Sequence, residues 1–72
     1  METRIALIGI IVENPDSVEQ LNHLLHEYGS FIVGRMGIPY EKKNVNLISV
    51  AIDAPQDIIS AFSRMGYPCA QQ

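Results

Sequence analysis

Three side chains on one predicted helix have types and a spacing that suit a metal ion. Glu19, His23 and His26 lie at positions i, i+4 and i+7, so they share one strip of the helix. Carboxylate and imidazole groups at this spacing can bind a transition metal. The alternative is an ordinary solvated helix face, with a weak pairing of Glu19 with His23, and surface positions are where such residues are usually found.

Arg35 is a second candidate, because it lies in an otherwise apolar segment between Gly34 and Met36. A charged side chain there must reach water, a carboxylate or a bound anion. Gly34 and Gly37 would let a backbone or a ligand approach closely, so Arg35, Gly34 and Gly37 are the predicted polar contact with a ligand or at an interface. The alternative, which burial statistics favour, is an ion pair between chains. Candidate partners for that pair are Glu13, Glu41 and Asp53.

The other reactive residues form no catalytic arrangement. Cys69 is the single cysteine and lies in an unpatterned segment, so an incidental free thiol is favoured over a further metal ligand or a redox-sensitive thiol. The sequence contains no phosphate-binding loop, nucleophile elbow, HExxH or CxxC pattern. It therefore predicts a protein that is not an enzyme, and it leaves the identity of any cofactor unknown.

Apolar runs and turn signals predict the elements that carry these residues. The Ile-rich run IALIGIIV after Arg4 predicts a strand buried on both faces, followed by a helix. That helix begins either with an Asp16–Glu19 capping box or with Asn14 as its cap, and Gly29 is expected to end it. Further strands are predicted at 30–38, where Pro39 ends the strand, and at 45–52. A second helix begins near Pro55 and ends at Gly66.

This order predicts an α+β fold of the ferredoxin-like type, a β-α-β-β-α sandwich with both helices on one face of the sheet. Residues 1–66 form the single domain, and residues 67–72 form an irregular C-terminal tail, so that the final strand is absent or irregular. The first strand, Arg4 to Val12, then lies at an edge. Its glycine, Gly9, leaves room for a ligand or a helix, and helix packing is the expected use.

Exposed apolar surface predicts self-association. A chain of 72 residues buries only about 60% of the surface that it exposes when unfolded, and an apolar edge strand invites pairing. The sheet face away from the helices is also too apolar for water. We therefore expect a homo-oligomer, a dimer or tetramer, with two-fold symmetry. The alternative is that the tail folds back and covers the edge.

Charge and cysteine content narrow the partners and the compartment. The net charge is −3, and the five basic residues are scattered, so no direct nucleic-acid binding is expected. The apolar stretch 5–12 is far below the roughly 20 residues that span a bilayer, so no membrane partner is expected. A single cysteine favours a cytoplasmic location.

Four segments together resemble one known family. METRIALIGIIVE, SVEQLNHLLHEYG, FIVGRMGIPY and ISVAIDAP are similar to the iron-only hydrogenase system regulator family over about residues 1 to 62, most specifically at 34–39. The resemblance implies a small ferredoxin-like protein, comparable in architecture with ACT domains and with the ligand-binding domain of nickel-responsive regulators. It carries over no catalytic residues. The family continues after its second helix with a glycine-rich turn and a last strand, whereas this chain reads MGYPCAQQ.

The residues and the resemblance together predict a regulatory or ligand-sensing module. It is expected to be oligomeric, to belong to an iron-only hydrogenase system and to act through a partner protein. The alternative is a structural protein–protein interaction module that binds no small molecule.

Overall fold

Six regular elements follow one another in a computed structural model of the protein, which describes residues 2–71. They are β1 (Arg4–Val12), α1 (Pro15–Glu27), β2 (Ile32–Tyr40), β3 (Val45–Ala54), α2 (Gln56–Arg64) and β4 (Cys69–Gln71). Two 3-10 turns, Gly29–Phe31 and Glu41–Lys43, lie before and after β2. The predicted ferredoxin-like α+β class is confirmed.

The four strands form one antiparallel sheet in the order β2-β3-β1-β4. The longest pairing joins β1 to β3, from Arg4 opposite Ala54 to Val12 opposite Asn46. β2 pairs with the other side of β3 and contains one irregularity between Ile32 and Gly34. β1 and β3 are therefore the central strands, and β2 is a free edge.

The C-terminal residues correct one sequence expectation. The sequence predicts an irregular segment at 67–72, but Cys69–Gln71 form β4 and pair with Ala6, Leu7 and Ile8 of β1. A strand of three residues is too short to show an alternating apolar pattern, which is why the sequence does not reveal it. The tail thus folds back and covers part of the β1 edge, as the alternative stated. Gln72 lies outside the described residues.

The core lies between one face of the sheet and the two helices. Alternate residues of β1 and β3 point to this face, because successive strand side chains point to opposite sides. They meet the apolar stripes of α1 and α2. The buried set is Ala6, Ile8, Val12, Leu21, Leu25, Ile48, Val50, Ile52, Ala54, Ile59 and Phe62. Both helices within residues 2–71 therefore pack on the same side of the sheet.

The element ends follow local chemistry, with two corrections. The Asn14 side-chain oxygen accepts a hydrogen bond from the backbone N–H of Asp16 at 3.0 Å, which confirms the Asn14 cap. Gly66, with φ +96°, follows α2 as predicted. Gly29 directly follows the C-cap Tyr28, so α1 ends at the predicted place, but Gly29 begins a 3-10 turn and lacks the positive φ of a left-handed stop. Pro39 does not end β2, because an edge strand tolerates a residue without an N–H.

Phe62 is the largest fully buried side chain. The centroid of its ring lies 5.1 Å from the centroid of the Tyr28 ring and 6.4 Å from that of the Tyr67 ring. We expect Phe62→Ala to lower the free energy of unfolding by about 3–5 kcal/mol, since it removes buried area and leaves a cavity. Chemical denaturation measures this. Met65→Ala, at the exposed end of the same helix, is the control and should change stability by about 0.5 kcal/mol or less. Equal losses in the two variants would contradict the assigned core.

Candidate functional site

The second face of the sheet carries large apolar side chains with no helix over them in residues 2–71. We call it the open face. It consists of the residues that point away from the helices on all four strands, and its large apolar members are Ile5, Leu7, Ile11, Met36, Ile38 and Leu47. Between 37% and 68% of each of these residues is exposed. Exposed apolar side chains scattered singly are ordinary, but a contiguous set marks an interaction surface.

Strand register arranges the open face in rows that run across the strands. Row 1 holds Ile38, Leu47 and Ile11, which lie opposite one another on β2, β3 and β1. Row 2 holds Met36, Ser49 and Gly9. Row 3 holds Gly34, Ala51, Leu7 and Ala70. Row 1 is a continuous apolar ridge, while the middle of rows 2 and 3 contains small residues.

A shallow depression of about 390 Å³ lies between the ridge and row 2. Gly9 and Ser49 form its floor, with Met36, Ile38 and Leu47 among the side chains around it. Ser49 is the one polar side chain among its lining residues. Small-molecule sites usually combine apolar walls with several converging polar groups, so this surface is better suited to apolar side chains of a protein.

Gly9 corrects the expectation that it accommodates a helix. Its neighbour Ile8 is buried beneath the helices, whereas Gly9 lies opposite Ser49 on the open face. A Cβ atom at Gly9 would meet no atom within 4 Å, and Gly9 is not among the residues with positive φ. The packing and backbone geometry of the described chain therefore do not require a glycine there.

The total surface area also indicates an uncovered face. The accessible surface is 5066 Å². A compact monomer of 8.0 kDa has an accessible surface of about 4,450 Å². The excess of about 600 Å² matches what each partner buries in the smallest specific protein–protein interfaces.

Arg35 lies on the helix side of the sheet, opposite Val50, and one of its guanidinium N–H groups donates a hydrogen bond to Asn22 Oδ1 at 2.6 Å. This bond ties the edge strand β2 to α1. Gly37 faces the helix side with Arg35, while Gly34 belongs to the open face, so the three residues do not form one surface.

The ion pair suggested for Arg35 stays a prediction. The salt bridge found within residues 2–71 joins His23 to Glu27, so Arg35 has no carboxylate partner inside the described chain. The carboxylates named above, Glu13, Glu41 and Asp53, were suggested as partners across an interface between chains.

The helical strip of Glu19, His23 and His26 does not converge on one point. His23 Nε2 lies 3.9 Å from Glu27 Oε1, and both side chains are well exposed. Residues 2–71 contain no group of three His, Cys, Asp or Glu side chains that could hold a metal ion. The strip is a solvated helix face in the structure, because its members point to water rather than to a shared centre.

Cys69 is a free, half-buried thiol. Its Sγ lies 3.4 Å from the backbone oxygen of Tyr67 and 3.9 Å from that of Ile59, between β4 and α2. It packs against the core and is separate from the strip on α1, so the structure provides no additional metal ligand from it.

A four-stranded antiparallel sheet with two helices on one face and an apolar second face defines a small ferredoxin-like α+β domain. The TM1266-like family, described as "Iron-only hydrogenase system regulator, putative", matches residues 4–66. The chain belongs to this family.

A solved structure has the same fold. The uncharacterized protein TM1266 from Thermotoga maritima superposes with a TM-score of 0.83 at 26% sequence identity, covering 99% of this chain and 96% of that chain. No curated protein sequence matches the chain. Neither helix within residues 2–71 has the length and apolar character needed to cross a membrane.

The Arg35–Asn22 contact can be tested by a double-mutant cycle with Arg35→Ala and Asn22→Ala. We expect a coupling free energy of about 0.5–1.5 kcal/mol in urea unfolding, because the bond is charge-assisted but solvent-exposed. His23→Ala is the control on the same helix and should show no coupling to Arg35→Ala. Additive effects of Arg35→Ala and Asn22→Ala would show that the contact does not hold β2 to α1.

Proposed function

We propose that this protein is an oligomeric regulatory module of an iron-only hydrogenase system that acts through a partner protein. The observation that carries the proposal is the open face, a contiguous apolar surface for which the described chain provides no cover. Membership of a family described as a regulator of an iron-only hydrogenase system supports the regulatory role. The sequence has no catalytic motif, which supports a protein that does not itself carry out chemistry.

Self-association through the open face would give the module two states, free chains and assembled chains, whose proportions can change. An interface between two faces of this small size belongs to the low end of the range for specific complexes, where association is commonly reversible. A ligand or partner shifts such an equilibrium only by binding one assembly state more tightly than the other. Regulation would then consist of changing the fraction of assembled chains.

The alternative is a structural interaction module that senses no small molecule. The lining of the open-face depression favours it, because Ser49 alone among the lining residues offers a polar side chain. A metabolite and metal-ion screen by thermal shift separates the two functions, since a true ligand raises the unfolding temperature by mass action. The ligand-sensing role requires a shift that grows with ligand concentration.

We also propose that the protein works in the cytoplasm and contacts protein rather than nucleic acid. The free thiol of Cys69 supports a reducing compartment. The net charge of −3 supports a protein partner, because phosphate backbones require clustered basic side chains.

Ile11→Asp tests self-association through the open face. Ile11 is 68% exposed in the single chain, so the substitution should leave the fold intact. In an assembly it would bury an unpaired carboxylate, and we expect the dissociation constant to rise by about a hundredfold or more. Light scattering after size-exclusion chromatography over a dilution series measures the change. Gln20→Asp, on the exposed side of α1, is the control and should assemble as the wild type does.

The regulatory role can be tested in the native host. We expect deletion of the gene to change iron-only hydrogenase activity, and the wild-type gene to restore it. Ile11→Asp should fail to restore activity at equal protein level, whereas Gln20→Asp should succeed. Hydrogenase activity that is unchanged by the deletion under every growth condition that induces the enzyme would contradict the regulatory role.

A further inference from the structure

Two glycines of the open face leave space above the sheet. Gly34 lies beside the irregularity of β2, where glycine is common, whereas Gly9 lies in a regular part of β1. Gly9 lies in the central strand β1 and Gly34 in β2, where glycine costs stability relative to residues with side chains. A Cβ atom at either position would meet nothing within 4 Å, and neither glycine has positive φ. Both belong to the open face, so the space above each of them can accept a side chain from outside the described residues.

Rows 2 and 3 carry their large side chains on different strands. On β1, the small residue Gly9 lies in row 2 and the large residue Leu7 in row 3. On β2 the order reverses, with Met36 in row 2 and Gly34 in row 3. Between them, β3 contributes two small residues, Ser49 and Ala51.

This inference rests on the proposed function, and it specifies how the open face is covered. We propose that a second copy of the chain covers it about a two-fold axis that runs across the strands between rows 2 and 3. Row 2 of each copy then lies on row 3 of the other. Leu7 of one copy enters the space above the other copy's Gly9, and Met36 enters the space above Gly34.

Such a contact is isologous, so each complementary pair occurs twice. β1 of one copy lies over β1 of the other, and β2 of one copy lies over β2 of the other, because the axis preserves the order of the strands. Ser49 meets Ala51 in the middle, where small residues allow the two sheets to come to the usual spacing of about 10 Å.

Area and charge favour a second copy as the occupant. The excess surface of about 600 Å² equals the area per partner in the smallest specific dimers. Rows 1 to 3 contain no charged residue, so two chains of net charge −3 can meet there without like charges in contact. The nearest charge, Asp53, lies one row further along β3, opposite Ile5. The axis places this row against row 1 of the other copy, so Asp53 lies near the other copy's Leu47, Ile11 lies near the other copy's Ile5, and the two Asp53 carboxylates are far apart.

Gly9→Leu distinguishes this register from nonspecific hydrophobic association. The variant adds apolar area to the open face, so it would strengthen an association that is nonspecific. In the proposed register the new side chain collides with Leu7 at two symmetric places, and we expect the dissociation constant to rise by about a hundredfold. Sedimentation equilibrium measures it. Gly37→Leu, which makes the same change on the helix side, is the control and should leave the dissociation constant unchanged.

A swap of the two side chains provides the complementary test. The double variant Leu7→Gly with Gly9→Leu keeps the composition and exchanges the positions of the large and small residues. We expect it to restore the dissociation constant to within about threefold of wild type, because the large side chain at position 9 then lies over the small residue at position 7 of the other copy. Circular dichroism of each variant reports whether the fold is intact. A double variant that is folded but no better assembled than Gly9→Leu would overturn the register.

Wild-type protein allows the same test without any substitution. In a sample mixed from isotope-labelled and unlabelled chains, isotope-filtered NMR should show intermolecular contacts between the Leu7 methyl groups and the Gly9 α-protons. A dimer that lacks these contacts, or that survives Gly9→Leu while Ile11→Asp dissociates it, overturns the register and leaves the proposed function standing. A protein that is monomeric at every concentration overturns both.

Discussion

Within residues 2–71, two helices cover one side of a four-stranded sheet and no element covers the other side, and the rest of the structure depends on this constraint. The core is complete on the helix side, where Ile8, Val50 and Phe62 are fully buried. The opposite side repeats almost the same apolar composition along β1 without a second layer. A strand that is apolar on both faces is typical of a sheet covered on both faces. The sequence of β1 therefore matches an assembled sheet better than a solitary one.

Size explains why residues 2–71 form no third layer over the open face. A domain of 72 residues has little surface to bury, and a third layer would require a longer sequence. Covering one face with another copy gives a larger core from the same number of residues. In the proposed dimer, the stability of the fold would depend on protein concentration, which would couple folding, assembly and regulation in one equilibrium. A regulator benefits from such coupling because small differences in binding shift the population.

The shape of the open face carries information beyond its apolar character. Glycine at a central strand position lowers β propensity, and Gly9 has no neighbour in its own chain that demands it. Exposed apolar edges and faces also risk uncontrolled association, so a specific fit is needed to select one arrangement. The alternation of large and small residues in rows 2 and 3 provides that selection in the proposed dimer.

Element types could be read from the sequence because their signals are local. The Ile-rich run of β1, the Asn14 cap and Gly66 after α2 each depend on residues a few positions apart. The sequence does not predict β4, because three residues are too few to show an alternating apolar pattern. Its pairing with residues 6–8 is also a long-range contact. Pro39 predicts a strand end for a central strand, but β2 lies at an edge, which the sequence does not reveal.

The candidate site was harder to predict, since strand register decides it. The excess of apolar surface was evident from composition and from β1, but Met36 and Ile38 join the open face only through their pairing with β3. Arg35 stood out as a charge in an apolar strand, yet the alternation of faces places it beside Asn22 on the helix side. The strip on α1 had suitable spacing for a metal, but spacing on one helix does not bring a further ligand from elsewhere.

Methionine oxidation tests most directly whether the open face is covered in solution. Met36 lies on the open face and is 59% exposed in the single chain, while Met65 lies at the end of α2 and is 44% exposed. Dilute hydrogen peroxide followed by peptide mass spectrometry gives the oxidation rate of each. Covered open faces predict that Met36 reacts more slowly than Met65 in wild-type protein, and that Ile11→Asp reverses the order. Faster oxidation of Met36 than of Met65 in concentrated wild-type protein would contradict the account.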